Sequence, residues 1–248
     1  MADGVSQIDY FGALLLGIGP ALAVLWVSLR RFDRPHVSKS LFDDRRVFSS
    51  LAVGMVFGVF ASALNVLLPR SNLAGSLLVL AVVLLFEELF KLVYLNRRSY
   101  QGRFDTTFYG VPLGVGAAST AVVASAVWGG QDFLLPGVIV PLALISLGLS
   151  LVNATTGSFI GLGASRGQML RPVARAVGVR YAHAAFLLPS QLVPSIEYVW
   201  GLVSILTALG FATIVYRYAY DEVLPATLPE DVRRQMRRER RQALPVKE

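Results

Sequence analysis

The sequence predicts an all-α fold: a polytopic transmembrane helical bundle of about seven spans, with the N-terminus outside and the C-terminus cytoplasmic. Three observations predict it. Of the 248 residues, 54% are hydrophobic and only 16% are charged, and the mean hydropathy is +0.58. A soluble domain holds roughly 45–50% apolar and about 25% charged residues. Apolar stretches of the roughly 20 residues needed to cross a bilayer recur along the whole chain. The basic residues gather in alternate connections between them, as positive-inside bias requires.

The first span lies at about 10–28, after a start, MADGVSQID, that has no Lys or Arg. A cleavable signal peptide opens with a basic region, so this span is expected to be retained. The next three fall at about 47–68, 74–94 and 107–128. The breaker Leu135-Pro136-Gly137 precedes a fifth at about 138–164. The sixth, at about 179–193, is short and contains Pro189; the seventh covers about 198–218. Connections after spans one, three and five, together with the tail, hold 21 of the 23 Lys and Arg. The fifth-to-sixth connection supplies Arg166, Arg171, Arg175 and Arg180 to that count. The opposite connections hold only Arg70, and Lys91 lies within span three. Topology thus explains the net charge of +7, and no nucleic acid partner is needed. The expected location is the plasma membrane of a prokaryote.

Residues 1–220 form the membrane domain, and 221–248 form a basic cytoplasmic tail. The tail reads as a helix, with Thr227 as its N-cap and Glu230 as the capping-box partner. Its basic surface either lies on anionic lipid, at about 1 kcal/mol per basic residue, or is simply solvated. The loop 29–46, including His36, reads as solvated. The chain has no cysteine, which excludes a disulfide framework, a zinc–thiolate site, an iron–sulfur cluster and a cysteine nucleophile.

Ionisable groups at membrane depth cost about 2.5–3.5 kcal/mol each on the insertion scale and point to function. Four are expected there: Glu87, Glu88 and Lys91 in span three, and His183 in span six. At 1.5 Å per residue the two glutamates lie roughly 10–12 Å from the inner end of their span. Asn153, Thr155 and Thr156 add polarity in span five. All can face one cavity in the inner half of the membrane. Two readings follow: an acid/base or metal site in which glutamate activates water, or a Glu–Lys pair that fixes a helix interface. Gly110, Gly114 and Gly116, with Gly157, Gly161 and Gly163, read as small-residue faces for close helix packing.

The string Glu87-Glu88-Leu89-Phe90-Lys91 resembles the EExxK motif of the PrsW family of intramembrane metalloproteases. Asp105, Tyr109-Gly110, Gly114-Val115-Gly116 and Ala118 resemble that family's D-x-x-x-Y-G-x-x-x-G-x-G-x-A segment. The resemblance covers roughly 75–190 and continues through the helix 153–163 and His183. It implies peptide-bond hydrolysis inside the membrane by Glu-activated water. Glu87 and Glu88 would be catalytic, and zinc would be held by His183, Glu88 and Asn153. Lys91, Asp105, Tyr109, Gly110, Gly114 and Gly116 would support the site. The substrate would be a membrane protein or a peptide.

The chain departs from the family pattern at three residues. Ala121-Val122 stands where the family has Glu-Asn, and Asn153 stands where it has a histidine. Catalytic zinc normally takes three protein ligands plus water. Glu87 and Glu88, about 100° apart on a helix, do not easily turn to one ion. Three functions therefore stay open: an active membrane-embedded peptidase, a catalytically inactive relative that binds or positions a membrane partner, and a transporter using the buried Glu–Lys pair.

Overall fold

The computed structural model describes residues 7–33, 40–68, 72–129, 136–192, 198–230 and 232–234. His36 lies outside them, as do residues 231 and 235–248 of the expected tail. The described residues are helical and contain no strand. The long helices are α1 Gln7–Leu29, α2 Asp44–Leu67, α3 Leu73–Leu95 and α4 Thr106–Gly129. They continue with α5 Pro136–Arg166, α6 Leu170–Leu192 and α7 Tyr198–Tyr218. A π-helical turn Ala219–Val223 and a single turn α8 Leu224–Ala226 complete the fold.

Side chains set several of the helix starts. Asp43 caps α2 by accepting from the Arg45 backbone N–H at 3.0 Å, and Asn72 caps α3 by accepting from Gly75 N–H at 2.7 Å. Each satisfies a backbone donor that a helix start leaves unpaired. Pro20, Pro112, Pro141 and Pro189 lie inside helices. Membrane helices tolerate this because neighbouring helices satisfy the freed backbone groups.

Six helices are long and apolar enough to cross a membrane by length and composition, one fewer than the seven spans expected. The exception is α6. It is 23 residues long and starts about nine residues before the expected span, and this added first part brings in Arg171 and Arg175, with Arg180 just beyond. These arginines were expected in a connection; they belong to the helix, and Arg180 is buried.

The centre of the bundle is α4. Of its most apolar stretch 83% is buried, against 22–39% for the other five candidate spans. It packs most extensively on α5 and α2, then on α1. Glycine makes this possible on three sides. A Cβ at Gly110 or Gly114 would overlap the carbonyl of Gly157 or Asn153 on α5. One at Gly116 would overlap the Leu51 carbonyl on α2, and one at Gly17 of α1 would overlap Ser119 of α4. Backbones approach this closely only where side chains are absent, so dispersion contacts are gained along the whole seam. Across the α2–α4 seam the Thr120 hydroxyl also donates to Met55 O at 2.8 Å.

The C-terminal segment does not begin as a free tail. Val223, Leu224 and Leu228 are buried in the main core. Thr227 does not cap a helix in the expected way. Its hydroxyl donates to Phe104 O at 2.6 Å and accepts from Thr107 at 2.8 Å, which ties it to the α3–α4 corner.

Candidate functional site: a buried four-charge cluster

Helix α3 is unburied over most of its surface, yet Val83, Leu84, Glu87, Glu88, Lys91, Tyr94 and Leu95 are buried. Their spacing marks one helical stripe. The stripe is two residues wide, so both glutamates turn inward, though towards different helices. Glu88 faces α5 and Glu87 faces α6.

The Lys91 ammonium is 1% exposed, and all three of its donors are used. It donates to Glu88 Oε1 at 2.7 Å, Asn153 Oδ1 at 2.8 Å and Thr156 Oγ1 at 2.8 Å. Thr156 in turn donates to Glu88 Oε1 at 3.2 Å. Asn153 donates to Leu149 O at 3.0 Å, which fixes which way its amide points. On α6, Arg180 Nη2 donates to Glu87 Oε2 at 2.5 Å, and its Nε lies 3.9 Å from Glu88 Oε1. The Tyr181 hydroxyl donates to Ala81 O at 2.9 Å and holds α6 against α3 beside the pair. Two carboxylates thus meet two cations, all buried. A buried ion is tolerated when it is paired and its hydrogen bonds are met.

The structure brings Glu87, Glu88, Lys91 and Asn153 together, as the sequence led us to expect. Arg180 and Thr156 complete the cluster in roles the sequence reading missed. Arg180 was legible as one turn before His183 on the same helix face. The role of Thr156 depends on the α3–α5 contact, which no local pattern reveals. His183 is 2% exposed and lies beneath Gly148, where a Cβ would come 3.3 Å from Nε2. Among the described residues it makes no hydrogen bond to the glutamates.

The remaining expected site residues lie elsewhere. Asp105 accepts two bonds from Arg103, at 3.0 and 2.7 Å, and one from the Tyr109 hydroxyl at 3.0 Å. Tyr109 accepts from Asp43 N–H at 3.1 Å. This is a clasp at the loop end of α4, with no bond to the charge cluster. Burial alone would push the Asp105 carboxyl up, but the bonds from Arg103 and Tyr109 outweigh it and hold the group below its ordinary value. Gly110 and Gly114 serve the α4–α5 seam and Gly116 the α2–α4 seam.

The donors expected for zinc do not fit it in this arrangement. The Lys91 ammonium bonds both Glu88 and Asn153, so a cation already stands between two of the three. Arg180 adds a second positive charge beside the carboxylates. Among the described residues no three His, Asp or Glu side chains are grouped so as to hold a metal ion. Compared with known proteins, the chain matches no family model, no curated protein and no solved structure.

Proposed function

We propose that this chain is a catalytically inactive, PrsW-like integral membrane protein that binds or positions another membrane protein. Its polar centre serves as a charge lock between α3, α5 and α6. One observation carries the reading: the residues that hydrolysis would use are already engaged by Lys91 and Arg180. Charges in fixed ion pairs orient helices, whereas a hydrolytic glutamate must be free to take a proton from water.

In this reading α6 is the sixth span in order and completes the count of seven, with its arginines at the inner surface and Arg180 neutralised by Glu87. The N-terminus is then outside and the C-terminus cytoplasmic, in a prokaryotic plasma membrane. The glycine faces hold the bundle together, and the lipid-facing sides remain for a partner.

The test is reporter cleavage in proteoliposomes, with a transmembrane peptide as substrate. Wild type and Glu88→Gln are expected to give the same background, and a mild-detergent pulldown is expected to recover a stable membrane partner. Cleavage by wild type that vanishes in Glu88→Gln overturns the reading.

A specific observation favours the peptidase as second reading. Glu88 Oε2 is buried and hydrogen-bonded to nothing among the described residues. That oxygen is a buried place in the cluster where a carboxylate could accept a proton. The same assay decides between the two.

A further inference from the structure

At the arginine-rich end of the bundle, the end of α5, the start of α6 and the end of α7 with its π-helical turn enclose a cavity of about 220 Å³. Its walls include Arg166, Arg175 and Glu222, with Phe159, Leu162 and Tyr218 below them. The charges do not cancel locally. No ion pair among the described residues involves Arg166, Arg175 or Glu222. Arg166 is held in place by one bond, from Nη2 to Ala226 O at 2.9 Å, which leaves its other donors for a ligand.

We infer that this cavity binds the phosphate of an anionic phospholipid headgroup. Two guanidinium groups on separate helices match phosphate oxygens, since the planar fork gives paired, charge-assisted hydrogen bonds. Basic pockets between membrane helices at the cytoplasmic face are suited to such headgroups. The lower walls favour lipid over free phosphate, because Phe159 and Leu162 offer apolar surface to the glycerol and upper acyl carbons. Tyr218 is 50% exposed at the same level, the position that aromatic rings with a polar tip take at a membrane interface. Glu222 sets a limit on affinity, as its carboxylate faces the same space. The inference rests on membrane insertion of the bundle and is independent of whether the charge cluster is catalytic.

The experiment uses the full chain in nanodiscs of phosphatidylcholine, with or without a minor fraction of phosphatidylglycerol. Retained lipid is counted by native mass spectrometry, and a parallel arm adds inorganic phosphate to the phosphatidylcholine discs and follows thermal melting. Wild type is expected to retain phosphatidylglycerol over phosphatidylcholine. Arg166→Gln with Arg175→Gln is expected to weaken that retention about tenfold or more, given about 1 kcal/mol per basic residue. Arg45→Gln, at an exposed position on α2 away from the cavity, leaves it unchanged. Glu222→Gln tightens it, a gain that misfolding cannot imitate. Equal retention by the double variant, or no tightening in Glu222→Gln, overturns the proposal. Inorganic phosphate stabilising as well as the anionic lipid does also overturns it, in favour of a soluble phosphate site.

Discussion

Removing the Lys91 ammonium would leave the Glu88 carboxylate buried with only the Thr156 hydroxyl donating to it. Breaking a buried pair from one side costs about 3–5 kcal/mol, while replacing both partners by apolar groups is often neutral. We therefore expect Lys91→Met to lower unfolding free energy by about 3–5 kcal/mol in a mild-detergent denaturation series. Glu87→Leu and Arg180→Leu should each be similarly harmful, and the double variant should recover most of the loss. Additive losses would mean that the two side chains do not stabilise each other. The Asp105 clasp makes a different prediction. Its carboxyl is held below the ordinary value of 3.8 in the folded state. Its contribution is then complete above that value and disappears as pH falls through the lowered one. Wild type should lose stability more steeply below about pH 4 than Asp105→Asn, which has no proton to take up there. Parallel acid limbs in the two melting curves would refute this.

Helices carry the next level of argument. On α4 and α5, Gly157 meets the carbonyl of Gly110, and any Cβ there collides with backbone that cannot rotate away. Gly157→Ala is expected to cost about 1–3 kcal/mol through overpacking. Gly12→Ala on α1, where nothing lies within 4 Å of the new Cβ, should be neutral or stabilising by about 0.4–1 kcal/mol. Equal effects would mean that the close seam contributes little. The same scale shows what the sequence made legible. Hydropathy located all seven long helices within a few residues at most ends, because six of them are nearly unbroken apolar runs. It failed at the start of α6, where Arg171, Arg175 and Arg180 interrupt the run although the helix continues. A window reads average polarity and cannot tell an arginine in water from one paired to a glutamate on another helix. The pairs Glu88–Lys91 and Gly110–Gly114 were readable because helical spacing brings them together. Arg180–Glu87 and Lys91–Thr156 were not, because they exist only after α3, α5 and α6 have packed.

For the whole molecule, topology is the claim to test. The chain has no cysteine, so single reporters need no background removal. A membrane-impermeant thiol reagent is expected to label Asn72→Cys, between α2 and α3, in intact cells. Gln101→Cys, between α3 and α4, should label only after permeabilisation. The reverse pattern would invert the bundle. The charge cluster also has a consequence in time. Within α3, Lys91 and Glu88 neutralise each other three residues apart, so that half of the cluster is complete when α3 leaves the ribosome. Glu87 shares that one lysine and has no cation of its own within α3. Its cation, Arg180, is translated 93 residues later, a delay on the order of 5–20 seconds at ordinary synthesis rates. During that interval Glu87 waits for its cation, and the pair forms only once α6 has packed on α3. The order of synthesis thus becomes an order of assembly: a product that stops before α6 carries Glu87 without the partner it has in the folded chain.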